Sequence, residues 1–132
     1  QRLVRVLAPE KKKYQLTEAE IKNLQKICDL EEILNVLKEE GIAKRTDSLR
    51  DIAFYRPGSS KVSPEGYKGR IGIYEVLPVT ETIKRMITEA KDADQIQEQA
   101  KSEGMRTMVE DGFIKAAQGI TSIEEVLRVI AE

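Results

Sequence analysis

Helix-start signals recur along this chain at intervals that leave no room for a long helix. Thr17-x-x-Glu20, Asp29-x-x-Glu32 and Thr121-x-x-Glu124 carry the capping-box pattern, in which the first side chain accepts the third residue's N–H and the acid reaches back to the cap. Thr80 and Asp92 offer further caps. Gly41, Gly104 and Gly119 suit a left-handed stop. Apolar residues recur at helical spacing between these signals, as in Leu30, Ile33, Leu34 and Leu37, or Ile123, Val126, Leu127 and Ile130. The pattern predicts six short amphipathic helices, the first two at 18–27 and 30–40. Ile21, Leu24 and Ile27 form the stripe of the first, and Met108, Val109, Phe113 and Ala116 that of the fifth. Such short helices are marginal alone in water, so their stripes form a shared core rather than binding grooves.

Three strands are expected between them. Residues 1–7 are β-branched and apolar and stop at Pro9. Residues 52–56 end at Pro57-Gly58, and residues 70–76 close at Pro78. Lys11, Lys12 and Lys13 read as a solvated loop, residues 42–51 as a polar linker, and residues 57–69 as a loop dense in turn residues. The fold class is therefore α/β and rich in helix.

Composition removes whole classes of chemistry. With no histidine among 132 residues, the chain builds no histidine base, no Ser-His or Cys-His dyad and no histidine-ligated metal. One cysteine, Cys28, forms no internal disulfide, which suits a reducing compartment. Residues 1–66 carry 13 basic and 11 acidic groups and residues 67–132 carry 9 and 12. That even balance disfavours nucleic acid as a partner, and the scattered lysines and arginines at 11–13, 44, 45 and 61 lack the aromatics that stack bases. No apolar run approaches the ~20 residues of a membrane span. The chain holds no G-x-x-x-x-G-K-[ST] loop, no G-x-G-x-x-G and no C-x-x-C pair. Its carboxylates sit at helix starts and on polar helix faces, where caps and dipoles account for them. The residues present make no self-contained active site.

Gly66-Tyr67-Lys68-Gly69-Arg70-Ile71-Gly72-Ile73-Tyr74-Glu75-Val76-Leu77 stands apart. Its glycines permit tight turns and close backbone approach. Arg70 and Glu75 flank an apolar strand. With Gln1-Arg2-Leu3-Val4-Arg5, Phe54-Tyr55-Arg56-Pro57, Glu103-Gly104-Met105-Arg106-Thr107-Met108, Asp111-Gly112 and Gly119-Ile120-Thr121-Ser122-Ile123-Glu124-Glu125-Val126, it resembles, in order and over nearly the whole chain, the C-terminal region of the ATPases that drive type II secretion and type IV pilus assembly. Many members of that family carry two C-x-x-C pairs holding zinc. In this sequence Ala8, Lys11, Ser59 and Val62 occupy those positions. Zinc needs four N, S or O ligands, so the resemblance implies a zinc-free member. Its residues 9–65 would be held by apolar packing and would be the least stable part.

The resemblance further implies the C-terminal part of a RecA-like P-loop ATPase domain. Residues 1–8 and 66–79 would complete its core sheet, 9–65 would form an insertion, and 80–132 a helical subdomain. Family members are cytoplasmic hexamers at the inner face of the bacterial membrane that drive a membrane platform protein. ATP and magnesium would bind an upstream core, so this chain is expected to hold no cofactor and to be inactive alone. Partners would be that core, hexamer neighbours and the platform protein. Residues 82–89 resemble a helix that retraction-type relatives need for movement, whereas the 18–65 insertion leans toward assembly. Arg70, pairing with Glu75 or reaching a subunit interface, and Arg106 are the candidate coupling residues; ordinary structural ion pairs are the competing reading. Opening on Gln1, the chain reads as processed or as a piece of something longer. A standalone module that binds a secretion platform or regulatory protein without nucleotide is the alternative.

Overall fold

The first strand lies beside one that follows it by sixty residues. The computed structural model describes residues 1–131. It places β1 (Arg2–Leu7) antiparallel to β4 (Tyr67–Ile73), with Val4 opposite Ile71 and Arg5 opposite Arg70. The first and last strands read from the sequence therefore lie side by side in one two-stranded sheet. Val4 and Ile73 are fully buried and pack with Val129. A second antiparallel pair joins β2 (Lys12–Gln15) to β3 (Ala53–Arg56), with Tyr14 opposite Phe54. Six helices complete the described residues: α1 (Glu18–Gln25), α2 (Leu30–Glu39), α3 (Glu81–Thr88), α4 (Ala93–Ser102), α5 (Met108–Ala117) and α6 (Ile123–Ile130). The class is mixed α/β with small antiparallel sheets and abundant helix.

Local chemistry set most helix starts as expected. Thr17 and Glu20 form the reciprocal box, and Thr80 and Asp92 cap α3 and α4. Asp29 accepts from the Glu32 N–H without a return bond. Gly41, Gly104 and Gly119 all have positive φ. The last helix begins one residue later than expected. Ser122, not Thr121, accepts the Glu125 N–H, because the Thr121 hydroxyl donates to the Arg5 carbonyl at 2.7 Å.

Four further expectations are corrected. Lys12 and Lys13 belong to β2 rather than to a loop. They pair with β3, and the Arg56 guanidinium lies 3.8 Å over the Tyr14 ring; no alternation in Lys-Lys-Tyr-Gln announces this. Residues 42–51 are not an inert linker, since Ala43 and Leu49 are buried and Leu49–Asp51 forms a 3₁₀ turn closed by Ser48 and Asp51. Ile27 lies beyond α1 and is 64% exposed. The fourth strand spans 67–73 rather than 70–76. The Tyr74 N–H donates to Asp111, Glu75 accepts from the Met108 N–H, and Lys115 donates to the Gly72 carbonyl at 2.6 Å. These bonds draw residues 74 and 75 onto the start of α5 and off the ladder.

The main core crosses the chain. Leu24, Ile33, Leu37 and Phe54 share one buried cluster with Phe113, Ala116, Ile123 and Val126. Helices α5 and α6 approach closely because residue 112 is glycine. A Cβ there would stand 2.5 Å from Val126 Cγ1. Gly112→Ala is therefore expected to destabilise the fold by about 1–3 kcal/mol through overpacking, despite alanine's better helix propensity. A shift in urea midpoint at unchanged slope checks it, and an unchanged midpoint would refute it.

Candidate functional site

At the junction of β1 and α6 a carboxylate is removed from water and surrounded by donors. Glu125 has 2% of its side chain exposed. Its Oε1 accepts the Arg5 N–H and Arg5 Nε, each at 3.1 Å, and its Oε2 accepts Arg5 Nη2 at 3.0 Å. Arg128, one turn along α6, adds Nε at 3.2 Å and Nη2 at 2.5 Å. Burial pushes this carboxyl upward, but the bonds from Arg128 and Arg5 outweigh it and hold the group at about 2. The Arg5 guanidinium lies 4.2 Å over the Tyr67 ring, and the Tyr67 hydroxyl bonds Ser122 Oγ at 2.6 Å. Burial raises the Tyr67 phenol, and the bond to Ser122 opposes that shift. Sequence reading named Glu125 only within the family motif and gave it no role of its own. Its partner lies 120 residues away, and a single sequence carries no signal for such a pair.

The candidate residues fall in three places. Arg70 is exposed beside this clamp, opposite Arg5, in a shallow hollow that Arg2 and Arg128 also line. Two like charges face each other across the ladder, an arrangement that costs stability, and Glu125 offsets one of them. Arg70 makes no ion pair among the described residues. Glu75 is not its partner, since Glu75 Oε1 accepts the Met108 N–H at 3.1 Å. Arg106 lies on the turn between α4 and α5 and reaches α2, at 2.7 Å from Glu39 Oε2 and 3.6 Å from Glu40 Oε1. The structure thus separates the three residues and gives Arg106 an intrachain bond.

Zinc does not fit the positions where relatives carry cysteine. Ala8 is buried and its N–H donates to the Gly66 carbonyl. Lys11 Nζ donates to the Gly119 carbonyl at 2.9 Å, at the C-terminal end of α5, and stands 5.3 Å from the Tyr55 ring centre. A lysine there meets the negative end of the helix dipole. Ser59 is exposed and Val62 is 82% exposed. Nearby, Ser60 Oγ accepts the Ser63 N–H, and the Ser63 carbonyl accepts the N–H groups of Ser60 and Gly66. Backbone and serine hydrogen bonds pin this loop. Among the described residues no cluster of three or more acidic or cysteine side chains could hold a metal. The arrangement can bind strands to helices and present charge; it holds no nucleophile–base pair.

Comparison with known proteins agrees with the resemblance drawn from the motifs. A family profile described as type II/IV secretion system protein matches residues 1–128. The type IV pilus assembly ATPase PilB of Pseudomonas aeruginosa is 43% identical over 83 residues, 63% of this chain and 15% of its own length. The type II secretion system protein E of Xanthomonas campestris is 43% identical over 79 residues, 60% of this chain and 14% of its own. The type II secretion system ATPase E of Vibrio cholerae is 33% identical across all of this chain and 22% of its own length. This chain thus spans between 14% and 22% of these relatives. By this match over nearly all of its length, the chain belongs to the type II/IV secretion system protein family.

Proposed function

We propose that this chain is the C-terminal portion of a secretion or pilus-assembly motor ATPase, working only when joined to an upstream core that binds ATP and magnesium. The family match across residues 1–128 carries the reading. A surface feature supports it. Among the described residues, five of the eight exposed large hydrophobic side chains are Leu3, Tyr74, Val76, Leu77 and Val79. They sit on β1 and on the stretch just after β4. An isolated two-stranded ladder is marginal in water, and apolar side chains left exposed beside it gain from cover. A nucleotide-binding sheet that extends β1 and β4 would supply it. On this reading residues 1–8 and 66–79 finish a RecA-like sheet, 9–65 form an insertion and 80–132 a helical subdomain. The assembled protein is a cytoplasmic hexamer at the inner membrane face that drives a platform protein and does not bind nucleic acid. Arg70, exposed and without an ion-pair partner among the described residues, is the residue placed to reach a neighbouring subunit or the upstream core.

The test compares residues 1–132 with the chain extended by whatever its gene encodes upstream. The short chain is expected to neither bind nor hydrolyse ATP, and the extended chain to do both. Turnover by the short chain, or none by the extended one, sinks the reading; the latter would leave an interaction module whose apolar face docks a partner without nucleotide.

A further inference from the structure

The β1–β4 ladder has two outer edges, and the chain's own helices close part of each. On the β1 side the Arg5 N–H donates to Glu125 Oε1 at 3.1 Å, the Arg5 carbonyl accepts from Thr121 Oγ1 at 2.7 Å, and the Leu7 N–H donates to the Ile120 carbonyl at 2.8 Å. On the β4 side the Gly72 carbonyl accepts from Lys115 Nζ at 2.6 Å, and the Tyr74 N–H donates to Asp111 Oδ2 at 2.9 Å.

These bonds fix where the remaining backbone groups point. Opposite residues of an antiparallel pair alternately exchange two hydrogen bonds and none. Arg5 sends both its N–H and its C=O away from β4, so it exchanges none with Arg70, the residue opposite. The Arg70 N–H and C=O therefore point outward from β4. Leu3 and Gly72, two places along, follow the same rule, and the Gly72 carbonyl does meet Lys115 on that outer side. Among the described residues, no partner outside the ladder reaches the outward groups of Arg70.

This open stretch is exposed and positive. Lys68, Gly69 and Arg70 are all exposed, and neither Lys68 nor Arg70 makes an ion pair among the described residues. The register shifts here, since Arg5 faces Arg70 while Leu7 faces Tyr67. Gly69 absorbs the extra residue at φ +81°, with nothing within 4 Å of where its Cβ would stand. A bulge and a lysine deter indiscriminate pairing at an edge. An apolar strand laid here would strip water from two cations and leave them unpaired. Carboxylates on the incoming strand would instead neutralise both.

We propose that the outer edge of β4 at Lys68–Arg70 receives an extended acidic segment of a separate polypeptide, which exchanges backbone hydrogen bonds with Arg70 and sets carboxylates against Arg70 and Lys68. In such strand addition the backbone supplies affinity and the side chains supply specificity. The open edge is short, because α5 closes it from the Gly72 carbonyl onward, so charge carries the discrimination. The edge itself follows from intrachain geometry. Assigning it to a separate polypeptide rests on the functional reading above. Consecutive strands usually lie side by side, so an upstream strand takes the β1 edge at Leu3, beside Gln1, and leaves the β4 edge to another chain.

The test places a photo-activated cross-linking residue at position 68 of the chain as its gene encodes it, in the cells that encode it. A control chain carries it at position 98, on exposed α4. Position 68 is expected to capture a segment of another polypeptide that holds at least two Asp or Glu residues. Arg70→Gln is expected to lower the yield roughly two- to threefold and Arg70→Glu roughly five- to tenfold. Arg70→Pro should lower it more than Arg70→Gln, because proline also removes the outward N–H while sparing the bonds to β1. Changing a captured acid to lysine should restore the yield of Arg70→Glu. Capture of the upstream part of the same chain, of a segment without acids, or of nothing beyond the control overturns the proposal. So does a yield indifferent to Arg70→Glu, or one that the reversed acid fails to restore. If Arg70→Pro lowers the urea midpoint, Arg70→Glu and its reversal decide. ATP turnover by the gene-encoded chain without such a cross-link would overturn this edge and leave the motor reading standing; charge-dependent cross-links without turnover would do the opposite.

Discussion

Glu125→Ala is expected to lower stability by about 3 kcal/mol, at the low end of the range for breaking a buried ion pair. Removing the carboxylate strands two guanidiniums and the Arg5 N–H that it now receives. Arg5 and Arg128 are 39% and 47% exposed, so both recover some hydration, and that keeps the loss from reaching the upper end. The urea midpoint measures it. The sign of the pH dependence follows from the same group. Glu125 titrates at about 2 in the folded chain, against 4.5 ordinarily. A depressed carboxyl contributes stability that is complete above its unfolded value and is lost as pH falls toward its folded value. The gap between the parent chain and Glu125→Ala should therefore hold steady above about pH 5 and narrow steadily between pH 4.5 and 2. An equal gap at pH 3 and pH 7 would show that the clamp is not ionic.

Phe54→Ala is expected to cost about 3–5 kcal/mol, the usual range for removing a wholly buried aromatic. Phe54 and Phe113 are both 0% exposed and meet edge to face, with ring centres 6.2 Å apart. The pair joins β3 to α5. A cavity at Phe54 should therefore weaken amide protection in α5 as well as around β2 and β3. One cooperative transition is expected in the parent chain. A separate early transition confined to residues 9–65 would contradict the shared core and bear out the expectation that this segment is the least stable part. The reasoning from lost zinc ligands had pointed to such weakness. It counted the apolar stripes of α1 and α2 but could not see Phe113, Ala116, Ile123 and Val126 closing over them.

Legibility followed distance along the chain. Caps at Thr17, Asp29, Thr80 and Asp92 and stops at Gly41, Gly104 and Gly119 depend on neighbours a few residues away, and sequence reading found them. The start of α6 was misplaced by one residue because Thr121 had a distant partner in Arg5. Strand β2 was missed because nothing in Lys12–Gln15 shows period-two alternation; its pairing with β3 makes it a strand. Arg70 was legible as an odd charge on an apolar strand; of its two expected roles, the pairing with Glu75 does not form, since the Met108 N–H takes Glu75 Oε1. The motifs that carry the family resemblance were fully legible.

The amino-acid order alone determined where helices start and stop, which faces are apolar, what chemistry is missing and which family the chain resembles. These follow from backbone sterics, local hydrogen bonds and residue inventory. Tertiary structure alone decided that Glu125 meets Arg5, that Lys11 meets the end of α5, that Arg106 and Lys101 meet α2, and that residues 9–65 share a core with α5 and α6. Charges and rings separated by some 60 to 120 positions find one another only after the apolar stripes have packed, since burial fixes the distances over which a hydrogen bond or ion pair acts.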